Sequence, residues 1–230
     1  MELLSSASIV KYIKVLFVED EDKTREYIEY TLKYFVREVM SVSNGAEAME
    51  SIEKFMPDVI ITDLKMPKLN GVDFIKRVRS LNRSIPIIVI TGYTDKSDLI
   101  DLVNLQITSY LHKPIDSKEL FSALVEATQS LENQGKLHLK ITNNIIFDIN
   151  NLKLISSGKK ITLTHKEIKL MILLVNNANR IVTYKEIESF VWDGSIMTNG
   201  ALKTLVNSIS VKAKSKFIVN LSQVGYKLIS

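Results

Sequence analysis

Five short runs of β-branched and apolar residues, spaced by stretches of helical periodicity, restrict the first part of this chain more than any other feature. The runs are Val15–Val18, Val39–Val42, Val59–Thr62, Ile87–Ile90 and Thr108–Leu111. The helical patterns are Thr24–Tyr34, Ala46–Lys54, Val72–Val78, Lys96–Val103 and Ser117–Leu131. In the last of these, Leu120, Leu124, Val125 and Thr128 recur at helical spacing. Asn44-Gly45 and Asn70-Gly71 mark two helix starts, and Pro86 heads the fourth strand. Strands that are apolar throughout and alternate with helices predict a parallel sheet covered on both faces.

The pattern breaks at Leu131-Glu132-Asn133-Gln134-Gly135-Lys136. Beyond it come short strands near Leu137–Ile141, Ile145–Asp148, Leu152–Ser156 and Lys159–Leu163. Three helical segments follow, His165–Asn176, Tyr184–Val191 and Asn199–Lys214, then a hairpin from Phe217–Asn220 and Val224–Ile229. That order describes an α+β winged helix-turn-helix domain. The expected organisation is an N-terminal extension at 1–11, an α/β domain at 12–131, a linker at 132–136 and a second domain at 137–230. Charge divides the same way. Residues 1–136 carry 17 Lys and Arg against 21 Asp and Glu, whereas residues 137–230 carry 13 against 5. The basic second part suits a polyanionic partner, although lysines also keep a small domain soluble.

Apolar residues make up 46% of the chain, enough for two real cores. There is no cysteine, which excludes disulfide scaffolds and thiolate metal sites. His112, His138 and His165 are scattered without ligand spacing. The longest apolar runs, 85–90 and 170–175, fall far short of the roughly 20 residues a membrane span needs. MELLSSASIV lacks a basic n-region. The expectation is a cytoplasmic protein with no membrane partner.

Why should the buried run VIIT end on Asp63 and hand over to Met-Pro and Asn-Gly? In an open parallel sheet, ligands sit beyond the C-terminal strand ends where strand order reverses. Glu19 and Asp20 end the first strand and Asp63 the third; the 2-1-3-4-5 order common among doubly wound sheets, matched here as a pattern, makes these strands neighbours. Three converging carboxylates would repel and raise each other's pKa. A hard cation such as Mg²⁺ resolves the conflict. The fourth strand adds the Thr91 hydroxyl and the fifth the Lys113 ammonium. Together they make a phosphoryl-transfer site, with Asp63 as nucleophile and Mg²⁺ and Lys113 neutralising the phosphoryl oxygens. Taken singly, each residue has a plainer reading as a helix cap, turn opener or surface group.

Residues 12–131 resemble the receiver domain of a two-component response regulator, a flavodoxin-like doubly wound (βα)5 fold. The matching pieces are VEDE at 18–21, D-x-x-M-P-x-x-x-G at Asp63–Gly71, TG at 91–92 and Y-x-x-K-P at 110–114. The resemblance implies that Asp63 accepts a phosphoryl group from a phosphohistidine on a sensor histidine kinase. It implies Mg²⁺ held by Glu19, Asp20, Asp63 and the backbone carbonyl of Lys65. It makes Thr91 and Tyr110 a switch pair acting on the face built from Lys96–Val103, the fifth strand and Ser117–Leu131. Such a protein is a phosphoryl acceptor and not a turnover enzyme.

Residues 137–230 resemble the winged-helix effector of the OmpR/PhoB class, through 163–192 and VGYKL at 224–228. That class places the third helix in the major groove of promoter DNA. In Asn199–Lys214 the stripe Leu202, Leu205, Val206, Ile209 and Ala213 is assigned to the core. Lys203, Asn207, Ser210 and Lys214, with Thr204 and Val211 beside them, line the other face; Lys203, Thr204, Asn207, Ser210 and Lys214 are the candidate DNA contacts. The class implies further partners, RNA polymerase and a second copy of the chain.

Three departures bear on this. Ser210-Val211 stands where the class has an Arg pair, Ser222-Gln223-Val224 where its wing has Arg-Gly-x, and Arg180 is the only arginine after residue 136. Arginine reads guanine best and lysine does not replace it, so the expected base readout is weaker or leans to A·T. Ile107-Thr108-Ser109 and Ser122-Ala123 lack the charges relatives use across a dimer, so the dimer face is open. The missing arginines also motivate an alternative, a C-terminal module that binds protein rather than DNA. A Mg²⁺-dependent aspartyl phosphatase is a weaker rival, because Asp63 is followed by Leu64-Lys65 and not by a second Asp at that spacing.

Overall fold

Strands β1 (Lys14–Val18), β2 (Glu38–Val42), β3 (Val59–Thr62), β4 (Ile87–Thr91) and β5 (Ser109–His112) form one sheet in the order β2-β1-β3-β4-β5, every pair parallel. The structure is a computed structural model that describes residues 6–81, 84–92, 102–178 and 180–229. The chain divides into two units, Met1–Gly135 and Lys136–Ser230. The first is the flavodoxin-like doubly wound fold that strand–helix alternation predicts. Val15–Val18, Val59–Ile61 and Ile87–Ile90 are wholly buried. A strand covered on both faces buries every side chain, so these runs are apolar at each position rather than at alternate ones.

Helices α1 (Ser6–Ile9), α2 (Asp22–Phe35), α3 (Gly45–Phe55), α4 (Gly71–Leu81) and α5 (Ser117–Asn133) complete the unit. Leu16, Val18, Ile60, Ile87 and Val89 meet Phe55 of α3 and Phe74, Ile75 and Val78 of α4 in one core cluster. Strand alternation turns the buried Val15 and Phe17 to the opposite face. Helix starts follow from side-chain chemistry. The Asn44 carboxamide accepts the N–H groups of Ala46 and Glu47, and Asp116 forms a capping box with Glu119. Ile9 and Val10, in the stretch read as an extension, are buried, and α1 packs on α5. Helix α5 runs to Asn133, two residues past Leu131. The helical pattern at Lys96–Val103 lies outside the described residues except for Leu102 and Val103, which are helical.

The second unit opens with β6 (His138–Thr142), β7 (Ile145–Asp148), β8 (Lys153–Ser156) and β9 (Lys159–Ile161), an antiparallel sheet in sequence order. Then come α6 (His165–Val175), β10 (Val182–Thr183), α7 (Tyr184–Val191), α8 (Asn199–Ala213) and the hairpin β11 (Ile218–Leu221) and β12 (Gly225–Leu228). Thr164 with Glu167, and Thr183 with Glu186, form capping boxes that start α6 and α7. The third sheet has the order β10-β12-β11. Strand β10 was not anticipated. Its two residues are too short to show alternation, and they are a strand only because Gly225 lets them approach: a Cβ there would lie 1.9 Å from the Val182 carbonyl oxygen. This is a winged-helix domain. Among the described residues no helix is long and apolar enough to cross a membrane.

Candidate functional site

The strand ladder assembles the acidic cluster. Val18 pairs with Thr62, the Asp63 N–H donates to the Val18 carbonyl at 3.0 Å, and the Glu19 N–H donates to Val42 at 3.1 Å. The residues after β1 and β3 are therefore stitched side by side. One carboxylate oxygen from each of Glu19, Asp20 and Asp63 lies within 4.8 Å of the others. Glu19 and Asp63 are buried and Asp20 is exposed, so the cluster has a floor and an open side. A cleft lined by Asp20, Lys65, Asn70, Asp73 and Lys76 runs beside it.

Lys113 reaches in from the end of β5. Its ammonium lies 2.6 Å from Asp63 Oδ2 and 2.6 Å from Glu19 Oε2. Asp63 Oδ1 accepts the backbone N–H groups of Leu64 and Lys65. Burial alone would lower the Lys113 pKa, but its hydrogen bonds and charge attraction to Asp63 and Glu19 outweigh that and raise it. Burial pushes the Glu19 carboxyl up despite the nearby ammonium. Three carboxylate oxygens converging beside an open side make an all-oxygen donor set that fits a hard divalent cation.

Thr91 ends β4 and is buried, while Tyr110 is half-buried on β5, paired with Val89 two residues before Thr91. The Lys113 N–H donates to the Thr91 carbonyl at 3.0 Å, tying the two strand ends together. Two positioning residues escaped the sequence reading. Arg25 on α2 donates to the carbonyls of Glu19 (2.9 Å) and Asp20 (3.3 Å), bracing the acidic turn; no sequence signal marks it. Gly71 was read as a helix start and as the end of a motif. A Cβ there would lie 2.1 Å from the Asp63 carbonyl oxygen, so its bare backbone keeps the Asp63 turn in place.

In the second unit, Leu202, Val206, Ile209 and Ala213 of α8 are buried and Leu205 is half-buried. Lys203, Thr204, Asn207 and Lys214 are exposed. Ser210 is half-buried and its hydroxyl turns back to the Val206 carbonyl at 3.0 Å. Lys203, Asn207 and Ser210 line a groove closed on its other side by Lys216 and by Asn220 and Gln223 of the hairpin; Thr204 and Lys214 do not line it. The Asn220 amide lies 3.2 Å from the Tyr184 hydroxyl, which fixes it on the groove rim. Lys212 points away: it donates to Glu167 at 2.6 Å, and Ser208 donates to the same carboxylate at 2.7 Å. Buried Glu167 thus clamps α8 to the start of α6. The two lysines flanking Ala213 consequently have different jobs, which spacing alone did not reveal.

Comparison with known proteins identifies both domains. Residues 15–125 match the family described as response regulator receiver domain, and residues 158–228 match transcriptional regulatory protein, C terminal. The response regulator ArlR of Staphylococcus saprophyticus is 30% identical over 218 residues, covering 93% of this chain and 97% of that protein. ArlR of Staphylococcus aureus strain Mu50 is 28% identical, covering 93% and 98%. A response regulator receiver domain protein from Clostridium thermocellum, known as a crystal structure, superposes with a TM-score of 0.50 at 27% identity over 53% of this chain and 98% of its own. This chain belongs to the two-component response regulators of the OmpR/PhoB type, in which a receiver domain is followed by a winged-helix DNA-binding domain.

Proposed function

We propose that Asp63 is the phosphoryl acceptor and that its modification controls DNA binding by the second unit. A carboxylate oxygen of Asp63 attacks the phosphorus of a phosphohistidine on a sensor kinase. The P–N bond breaks, the imidazole leaves and takes up a proton, and Asp63 becomes an acyl phosphate. The carrying observation is the convergence of three carboxylate oxygens within 4.8 Å, with the Lys113 ammonium 2.6 Å from two of those carboxylates. Glu19, Asp20, Asp63 and the Lys65 carbonyl would hold Mg²⁺, which supplies charge neutralisation for the incoming phosphoryl oxygens. Lys113 does the same from the strand side and is held charged by its two partners. The chain takes up one phosphoryl group and does not turn over a substrate.

Thr91 and Tyr110 form the switch in this reading: the Thr91 hydroxyl bonds a phosphoryl oxygen and the Tyr110 ring fills the space it leaves. On the effector, Lys203 and Lys214 neutralise phosphates, while Thr204 and Asn207 face base edges and Ser210, its hydroxyl bonded to the Val206 carbonyl, lines the groove beside them. Promoter DNA is therefore the second partner.

The test is phosphoryl transfer from labelled acetyl phosphate. Wild type takes up label with Mg²⁺ and loses uptake with EDTA, and Asp63→Asn takes up none. Undiminished labelling of Asp63→Asn would refute the assignment. For the effector, a mobility-shift assay over a salt series yields a steep loss of affinity as salt rises. A flat response with no shifted band would favour a protein partner instead.

A further inference from the structure

We propose that Thr204, Asn207 and Val211 form a reading stripe for A·T base pairs, with Asn207 recognising adenine and the methyl groups of Val211 and Thr204 meeting thymine. The inference rests on the DNA-binding reading above and names what that surface selects. At 3.6 residues per turn these positions share one stripe of α8, opposite the buried Leu202, Val206, Ile209 and Ala213. Thr204 and Asn207 are exposed, and Val211 is 65% exposed at the crest of that face. An apolar β-branched side chain there adds nothing to the core and presents methyl groups outward.

Three of the polar groups that could compete are already engaged, and the exposed Lys203 and Lys214 are assigned to backbone phosphates. Arg180, the only guanidinium after residue 136, is held bidentately by Glu186 at 2.7 and 3.2 Å. Lys212 is held by Glu167, and the Ser210 hydroxyl by its own helix. The Asn207 amide makes no hydrogen bond among the described residues, so its donor and acceptor are both open. Guanine readout wants a guanidinium fork. Adenine N6 and N7 want an open carboxamide, and the thymine 5-methyl wants an apolar contact. This stripe supplies the second and third and lacks the first.

The experiment selects binding sites from a randomised duplex library with the full chain, then repeats the measurement with Asn207→Ala and Val211→Ala, both at exposed positions, after confirming unchanged melting. Selected sites are expected to share adjacent A·T pairs. Asn207→Ala should flatten preference at one of them about tenfold. Replacing thymine by uracil in the selected duplex removes the methyl and should weaken wild type about fourfold; Val211→Ala, left with the Thr204 methyl alone, should lose less from that change, and an equal loss in the variant would remove Val211 from the stripe. Salt-dependent binding with G·C-centred or unenriched sites would overturn this inference and leave DNA binding standing. Absence of binding at low salt would overturn the DNA-binding reading itself.

Discussion

The acidic cluster of the receiver and the reading face of α8 solve opposite problems. In the receiver, Glu19, Asp63 and Lys113 sit at strand ends, are tied to neighbouring strands by backbone hydrogen bonds, and pair with one another. Asp63 accepts from Leu64, Lys65 and Lys113, and its backbone is pinned against Gly71. On α8 the candidate contacts other than Ser210 are exposed, and Asn207 has no partner among the described residues. Changing one receiver residue disturbs several others. Changing an α8 contact alters only what the helix reads. The chain matches the receiver motifs at the ends of four of the five strands yet departs from its class at Ser210-Val211 and in the wing.

The same substitution made in both regions should show the contrast. Gly71→Ala would place a methyl 2.1 Å from the Asp63 carbonyl and push the acceptor off its position. A displacement of about 1 Å at a reacting group costs about a hundredfold, so the initial rate of phosphoryl uptake should fall by that order. A rate within twofold of wild type would break the positional argument. Glu167→Ala should have the next largest effect. It removes the partner of Lys212 and Ser208 and frees α8 from α6, for a loss of about 1–3 kcal/mol in the second unit. Urea unfolding followed by the fluorescence of Trp192, the chain's one tryptophan, reads that unit alone.

Gly200→Ala should act in the other direction. A Cβ at Gly200 meets nothing within 4 Å, so the helix gains about 0.5–1 kcal/mol, measurable by the same unfolding curve. The smallest expected effect is in pH. Lys212 and the capping Thr164 and Ser208 outweigh the burial of Glu167 and lower its pKa, and Arg180 holds Glu186 down to about 2. Depressed carboxylates stabilise the fold above their unfolded pKa and lose that contribution as pH falls through the folded one. The Trp192 transition should therefore weaken between roughly pH 4.5 and 2. Asp58 in the receiver is shifted the other way, raised by burial, so its share of receiver stability grows as pH falls toward the ordinary aspartate range.

Much of this was legible because buried parallel strands write themselves as unbroken apolar runs and their chemistry comes at the next residue. Asp63 after VIIT and Glu19-Asp20 after VLFV needed only the strand order to become a site. Helix starts were legible where a capping side chain announced them, as at Asn44, Thr164 and Thr183. What stayed hidden depends on approach across the fold. Arg25 reaches carbonyls five and six residues back in sequence, from a helix face that periodicity leaves undistinguished. Strand β10 exists through its pairing with Gly225 and Tyr226. The clamp between Lys212 and Glu167 joins residues 45 apart in sequence, and no local pattern marks it.

The most direct test of the account is to locate the phosphoryl group. After reaction with acetyl phosphate and Mg²⁺, borohydride reduction converts an aspartyl phosphate to homoserine, which peptide mass spectrometry assigns to a residue. The account predicts the change at position 63 alone, absent with EDTA. Reduction at any other carboxylate in wild type, or none under conditions where a known receiver is labelled, would contradict it.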